Sequence, residues 1–258
     1  MRRVDFSEDY KGKKEIDPKK LNFIEKYIDK VISDGSIELI YQIKEFMDYL
    51  KSKKYNLSEH YLRYVMTYLN LCKFFLNIKD KIIVELGGLS PITAYLSKFN
   101  ECFISTDVDF RLNIDIPENF ADIVFSFEVI EHLKDVPEKS FDEVVLFNFT
   151  GVKKYVHHMF KILKEKGYVV LTTPNPCSSK SILNILNFKH PYIFPYHVRE
   201  YTKEEILKLF QEKFSLEYYT TMEVFFPYSS KKLSKLYSEL CFSSEDRGDD
   251  QFFIFRKR

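Results

Sequence analysis

The sequence predicts an α/β fold in which a mostly parallel sheet, ending in an antiparallel strand, follows a helical N-terminal extension. Two observations support this prediction. Apolar residues recur at helical spacing through residues 18–78. From residue 81 onward, short apolar runs alternate with helical patterns, which is typical of a parallel sheet covered by helices on both faces. We therefore predict a helical extension or lid over residues 1–79 and an α/β domain over residues 80–258.

Three helices are expected in the extension. Their apolar patterns are LNFIEKYIDKVI, IELIYQIKEFMDYL and HYLRYVMTYLNLCKFFL. Residues that commonly cap helix N-termini precede them, namely Asp17, Ser36 and Ser58.

The α/β domain begins with four predicted strands, KIIVEL, ECFIST, DIVFSF and GYVVLTT. The segment Lys-Glu-Lys-Gly at 164–167 is expected to end a helix with basic residues and a capping glycine. TKEEILKLFQEKF at 202–214 is predicted to form a helix capped by Thr202 and Glu205. The last two apolar runs, SLEYYTTMEVFF and DQFFIFRKR, are predicted to pair antiparallel, with a helix at KKLSKLYSELCF between them.

Composition restricts the class of protein. Aromatic residues make up 17% of the chain and Trp is missing, so Phe and Tyr are expected to fill much of the core. A formal net charge of +1 removes the general electrostatic argument for a nucleic-acid partner. The four cysteines form no Cys-x-x-Cys pair, which favours reduced structural thiols. The N-terminus has no apolar leader and no apolar run reaches the length of a membrane span, so we expect a cytoplasmic protein without membrane contact.

The segment VELGGLSP, residues 84–91, is the first candidate site. Ligands of open α/β sheets bind beyond the carboxyl ends of the strands, and this segment ends a predicted strand. Glu85 could hold a cationic or hydroxyl group, and Gly87 and Gly88 would let the backbone approach a ligand. Alternatively, the glycines only turn the chain into a helix that starts at Pro91.

The segment FADIVFSFEVIEHL, residues 120–133, is the second candidate site. A predicted strand leads into Glu128, Glu131 and His132, which share one face if a helical turn follows. They would then project from the ligand-binding edge of the sheet. The alternative is that they are ordinary polar residues of a surface helix.

Together with MFKILKEKGYVVLTTPNP and PYHVREYTKEEILKLF, these segments resemble the class I S-adenosylmethionine (SAM)-dependent methyltransferases. The resemblance is greatest to the branch that contains quinone-ring O-methyltransferases, polysaccharide-cluster methyltransferases and small-RNA 3′-end methyltransferases. It implies a Rossmann-like fold with SAM as the cofactor. VELGGLSP is a degenerate form of the first family motif, because Leu89 and Pro91 stand where further glycines are usual.

The resemblance also implies roles in cofactor binding. Glu85 and Gly87 match the acidic residue and the first glycine of the SAM loop, and Gly88 falls on a variable position of it. Asp107 matches the residue that binds the ribose hydroxyls, and Asp115 resembles the position that meets the adenine amino group.

In the extension, Tyr61 or Arg63 could complete the cofactor site, since an arginine is a natural partner for the SAM carboxylate. Two positions apart on a helix, they do not share a face, so at most one is expected to do so. A solvated helix face is the alternative for both.

A metal site is implied by the small-RNA branch, in which Glu-x-x-Glu-His and a later histidine bind a divalent ion. The matching residues are Glu128, Glu131, His132 and His197. Two carboxylates with two imidazoles suit Mn²⁺ or a similar ion, and Glu131, His132 and His197 would then be catalytic. Many SAM enzymes carry a similar Glu-His pair without metal, so that alternative stays open.

The expected acceptor is a small polar molecule, such as a phosphorylated or phosphoramidate metabolite or a precursor of capsule polysaccharide biosynthesis. Tyr196 would line the acceptor pocket, and Arg199 would either bind an anionic group or pair with Glu200. The expected reaction is O-methylation. The alternatives are ribose 2′-O-methylation at an RNA 3′ end and a non-catalytic interaction module with a decayed SAM loop. The segment 137–152 is expected to shape the acceptor pocket or a homodimer contact.

Overall fold

The structure is a computed structural model that describes residues 1–7, 17–106, 108–112, 114–134, 150–191, 197–225 and 231–258. Most of the segment 137–152 therefore lies outside the described residues. No helix within the described ranges combines the length and the apolar character that a membrane crossing requires.

The three predicted helices of the extension are confirmed. They are α1 (Pro18–Ile32), α2 (Ile37–Ser52) and α3 (Tyr61–Phe75). The Asp17 carboxylate accepts a hydrogen bond from the N–H of Lys19, and the Ser36 hydroxyl accepts one from the N–H of Leu39. The prediction that Ser58 caps the third helix is wrong, because His60 occupies the cap position. Ser58 instead ends a 3-10 turn at Tyr55–Leu57, and α3 begins two residues later than a cap at Ser58 would place it.

A seven-stranded sheet forms the centre of the α/β part within the described residues. Its strands are β1 (Arg2–Arg3), β2 (Ile82–Leu86), β3 (Glu101–Ser105), β4 (Ala121–Phe127), β5 (Leu163–Pro174), β6 (Phe214–Met222) and β7 (Asp250–Lys257). Four central strands, in the order β3-β2-β4-β5, are parallel, and the chain changes direction across the sheet at β2. The antiparallel terminal strand is confirmed, since β7 lies between β5 and β6 and is antiparallel to both. A two-residue strand, β1, pairs antiparallel with β3 and was not predicted, because two residues carry no periodic signal.

Among the described residues, the α/β part contains five further helices: α4 (Pro91–Leu96), α5 (Thr150–Ile162), α6 (Ser179–Leu186), α7 (Lys203–Phe210) and α8 (Lys231–Glu239). The capping box predicted for α7 is confirmed, since the side chains of Thr202 and Glu205 each bond the other's backbone. The prediction that residues 164–167 end a helix is wrong. Helix α5 ends at Ile162, and these residues form a bulge inside β5, with Lys166 at a φ of 62°.

Two apolar layers cover the faces of the sheet. Neighbouring residues of one strand belong to different layers, as the alternation of side chains along a strand requires; Phe252 and Phe253 in β7 are an example. One layer joins the sheet to α1–α4, and the other joins it to α5 and α7. Aromatic rings fill much of the second layer, where Phe210 stacks on Phe255 with 4.3 Å between ring centroids. The expectation of an aromatic core is thus confirmed.

The turn after β2 requires glycine at one of its two glycine positions. Gly87 has a φ of 110°, and a Cβ atom built on it would lie 2.4 Å from Cγ2 of Val129. Its N–H donates to the carbonyl of Ser105 at 3.0 Å, which holds the turn against β3. A Cβ on Gly88, in contrast, would meet no atom within 4 Å. The two glycines therefore have different roles, with Gly87 needed for the fold.

We expect Gly87→Ala to destabilise the folded chain by about 2 kcal/mol or more, because it adds a steric overlap to an unfavourable φ. Gly88→Ala is the matched control and should change the free energy of unfolding by less than about 1 kcal/mol. Urea denaturation of both variants measures the difference. Equal stability of the two variants would contradict the role assigned to Gly87.

Candidate active site

A cavity of about 640 Å³ opens at the carboxyl ends of β2, β4 and β5. Its position, beside the strand at which the chain changes direction, is where open α/β sheets bind ligands. Helix α3 forms one wall, the turn after β2 forms the floor, and the segments after β4 and before α7 close the far end. The lining residues are Glu59, His60, Arg63, Tyr64, Thr67, Glu85, Gly87, Gly88, Leu89, Ser90, Pro91, Ile92, Phe127, Glu128, Val129, His132, Thr172, Pro174, Lys180, His197 and Phe225.

Glu85 holds the turn after β2 in shape. Its Oε2 accepts hydrogen bonds from the N–H of Ser90 at 2.9 Å and from the Ser90 hydroxyl at 3.1 Å. The Ser90 hydroxyl in turn caps α4 by accepting from the N–H of Thr93. Burial raises the pKa of Glu85 to about 7, against the opposing effect of these hydrogen bonds. Glu85 thus supports the loop as well as lining the cavity.

The departures from the usual glycine pattern are accommodated locally. Leu89 packs against the apolar layer below the cavity, and Pro91 begins α4, where its missing N–H costs no hydrogen bond. Gly88 lines the cavity, and no atom lies within 4 Å of the position that its Cβ would occupy. The backbone at Gly88 can therefore be approached closely by a ligand.

Arg63 is the residue of the extension whose guanidinium lines the cavity. Its Nη1 lies 3.1 Å from Oε2 of Glu128, and both side chains are largely buried. Glu128 has a φ of 55°, a rare conformation for a non-glycine residue, at the end of β4. Tyr61 is fully buried in the apolar layer and does not line the cavity. Of these two residues of α3, Arg63 lines the cavity and Tyr61 does not, which agrees with the helical geometry that allowed only one of them to do so.

Three of the four expected metal ligands lie together. The nearest ligand atoms of Glu131, His132 and His197 are all within 4.8 Å of one another. The imidazole rings of His132 and His197 are 4.8 Å apart, centroid to centroid, at an angle of 77°. Glu128, the fourth expected ligand, is not in this group and is bound to Arg63 instead.

Glu131 is the buried member of the group. Its Oε2 accepts from the hydroxyl of Thr173 at 3.0 Å, while its Oε1 has no hydrogen-bond partner among the described residues. Burial and the nearby Glu128 carboxylate raise the pKa of Glu131. A buried carboxylate oxygen without a donor is costly, and either a proton or a cation would relieve that cost.

Backbone hydrogen bonds bring the two histidines together across a long stretch of sequence. Ile130–His132 forms a 3-10 turn directly after β4. The carbonyl of Glu131 accepts from the N–H of Val198 at 2.8 Å and from that of Arg199 at 3.2 Å. The segment that carries His197 is thereby attached to the turn that carries His132.

The remaining predicted site residues lie elsewhere. Arg199 does not line the cavity, and its guanidinium bonds the carboxylate of Glu205. Asp115 is exposed and is not part of the cavity wall. Asp107 and Tyr196 lie outside the described residues.

Two residues that support the site were missed from the sequence. Thr173 bonds Glu131, and the carboxylate of Glu200 lies 2.7 Å from Nδ1 of His197. Thr173 follows a strand pattern and gives no signal of its own. Glu200 does give a signal, because it stands three residues after His197. The sequence pattern, however, suggested Glu200 only as a partner of Arg199.

The stability of the protein should fall as the pH rises from about 5 to 7.5, because Glu85 ionises in that range only in the folded state. The folded chain holds the proton of Glu85 more tightly than the unfolded chain, so stability is fully present below the ordinary glutamate pKa and is lost on passing pH 7. The loss at Glu85 amounts to about 3 kcal/mol at most. Glu85→Gln should remove this part of the pH dependence in urea denaturation.

The exposed Glu101 of β3 provides the control, and Glu101→Gln should keep the pH profile of the natural chain. A Glu85→Gln variant whose stability changes with pH as the natural chain does would contradict the raised pKa of Glu85.

Comparisons with known proteins agree on one family for this chain. A family profile described as "Methyltransferase domain" matches residues 60–218, more than half of the chain. A search of curated proteins found no significant match.

Three solved structures represent the structural matches. A SAM-dependent methyltransferase from Thermotoga maritima has 14% identity and a TM-score of 0.50, covering 90% of this chain and 99% of its own. One from Archaeoglobus fulgidus has 14% identity and a TM-score of 0.46, covering 81% and 99%. One from Mesorhizobium loti has 13% identity and a TM-score of 0.41, covering 74% and 97%. At such identities the likeness concerns the fold alone. With the family match, the sheet order and the cavity above the glycine turn, the chain belongs to the methyltransferase-domain family and is a class I SAM-dependent methyltransferase.

Proposed function

We propose that the protein transfers the methyl group of SAM to an oxygen atom of a small polar acceptor, with a divalent ion held beside the acceptor. The observation that supports this proposal is the cavity itself. One continuous space is lined by the glycine turn at one end and by His132 and His197 at the other. Cofactor, acceptor and metal-binding side chains can thus share one site.

The cofactor end is formed by the turn after β2 and by α3. Gly87 and Gly88 supply backbone that a ligand can approach, and Glu85 keeps this turn in place. Arg63 lies on this wall, and its guanidinium supplies positive charge that would bind the carboxylate of SAM. Asp107 and Asp115 are proposed contacts of the ribose and the adenine. SAM supplies a methyl group on a sulfonium, and the protein contributes alignment and exclusion of water.

The residues at the other end fit a divalent ion. Glu131, His132 and His197 offer one carboxylate and two imidazoles, a donor set that suits Mn²⁺ and its neighbours in the first transition row better than Mg²⁺. The oxygen of Glu131 that has no described donor is available as a ligand. Donors at about 2.1 Å from one ion are at most about 4.2 Å apart, so donors separated by 4.8 Å would have to approach by at least about 0.6 Å. A bound ion would lower the pKa of a hydroxyl that it contacts.

A small acceptor agrees with the surroundings of the cavity. Lys180 lines the cavity, and its ammonium group supplies positive charge for an anionic group of the acceptor. KSKK at residues 51–54 is a basic run that could contact the phosphates of an RNA acceptor, but it contributes nothing to the lining, and its Lys51 pairs with Glu25. These observations favour a phosphorylated or sugar-like metabolite over an RNA chain.

Titration with S-adenosylhomocysteine tests the cofactor site. We expect saturable one-to-one binding in calorimetry. Gly88→Val should weaken it at least about tenfold, because the new side chain fills space that the cofactor needs, at little cost in stability. Gly88→Ala, with a single added carbon, is the milder control. If neither SAM nor S-adenosylhomocysteine binds the natural chain, the enzymatic function is contradicted.

Titration with Mn²⁺ tests the metal site separately. We expect one bound ion per chain by calorimetry or electron paramagnetic resonance, and loss of this binding in both Glu131→Gln and His197→Ala. Glu59→Gln, on the opposite wall of the cavity, is the matched control and should bind as the natural chain does. Unchanged Mn²⁺ affinity in the two ligand variants would contradict the metal site and leave the cofactor site intact.

A further inference from the structure

We infer that Glu200 is a positioning residue that holds His197 with its proton on Nδ1, so that Nε2 carries the lone pair available to a ligand. The inference rests on the proposed function in one respect, namely that this ligand is a divalent ion. The orientation of the imidazole itself follows from contacts within the folded chain.

The first observation is the contact between the two side chains. Oε1 of Glu200 lies 2.7 Å from Nδ1 of His197, and the two side chains are 0% and 7% exposed. A carboxylate accepts hydrogen bonds and does not donate them, so a bond of this length places a proton on Nδ1. Because burial makes an unmatched carboxylate costly, the imidazole N–H and Glu200 stabilise each other.

The second observation is that the segment around both residues is held at several points. On one side, the N–H groups of Val198 and Arg199 donate to the carbonyl of Glu131. On the other side, the amide of Gln251 donates to the carbonyl of Tyr201 at 2.7 Å. The carboxylate therefore meets the imidazole on a fixed backbone, and little conformational freedom is lost when the bond forms.

The third observation is that the neighbouring cation is engaged elsewhere. Arg199 directs its guanidinium to Glu205, which also caps α7. Glu200, in turn, places its Oε1 against the imidazole of His197.

The consequence concerns ligand binding at His197. A histidine binds a metal through the nitrogen that carries the lone pair, and a carboxylate on the other nitrogen fixes which one that is. Such outer partners typically change metal affinity about 10- to 100-fold when they are replaced. Glu200 would therefore act through His197, as Thr173 would through Glu131.

The test is the protonation state of the His197 ring in the full chain. Long-range ¹H–¹⁵N correlation spectra at pH 7.5, assigned with the variant His197→Asn, show which ring nitrogen carries the proton. We expect the proton of the neutral ring to lie on Nδ1 in the natural chain. A neutral ring with its proton on Nε2 overturns the inference.

Two variants extend the test to function. In Glu200→Gln the carboxamide is a weaker acceptor and can also donate to Nδ1, so the preference for a proton on Nδ1 should weaken and the Mn²⁺ affinity should fall about 10- to 100-fold. Glu204→Gln, which removes an exposed carboxylate paired with Lys208, is the matched control and should change neither. Thermal unfolding verifies that both variants fold. A Glu200→Gln variant that matches Glu204→Gln in ring signals and Mn²⁺ affinity also overturns the inference.

The two proposals can fail independently. If the natural chain binds no Mn²⁺, the metal part of the proposed function is contradicted, and the ring signals of the natural chain still decide the role of Glu200. If Mn²⁺ binds and the neutral ring carries its proton on Nε2, the metal site stands and the role of Glu200 is contradicted.

Discussion

The far end of the cavity depends on a pair of backbone hydrogen bonds to one carbonyl. The N–H groups of Val198 and Arg199 both donate to the carbonyl of Glu131. Through these bonds, the turn after β4 and the segment before α7 become one unit although they lie far apart in sequence. The side chains of His132 and His197 meet because their backbones are attached in this way. Backbone bonds of this kind place functional groups without depending on the side chains that perform the chemistry.

Buried acidic groups characterise the same region. Glu128, Glu131 and Asp250 each carry at least one buried oxygen without a hydrogen-bond partner among the described residues, and Arg63 is the cation bound to one of them. Burial, with a further contribution from Glu128, raises the pKa of Asp250 as it does that of Glu131. Excess negative potential in a poorly solvated space favours cationic ligands. The sulfonium of SAM and a divalent ion are both of that kind.

Periodicity and local motifs predicted what depends on neighbours in sequence. The three helices of the extension, the four parallel strands and the capping box of Thr202 and Glu205 were all visible in the pattern of residues. The bulge at residues 164–167 was not, because a basic run followed by glycine is equally compatible with a helix end and with a bulge inside a strand. Contacts between distant segments, such as Arg63 with Glu128, have no signature in a single sequence. Because Glu128 is bound to Arg63, only three of the four expected metal ligands lie together.

The packing of the extension has a consequence for cooperativity. Residues of α1, α2 and α3 share one continuous apolar layer with β2, β4, β5 and β7, so the extension completes a face of the sheet. A segment that only covered the cavity would open and close without disturbing the core. Here, separation of α3 from the sheet would expose much of that layer to water, at a cost comparable to the whole stability of a domain. The extension and the sheet should therefore unfold as one unit, with amide protons of α3 exchanging as slowly as those of the central strands.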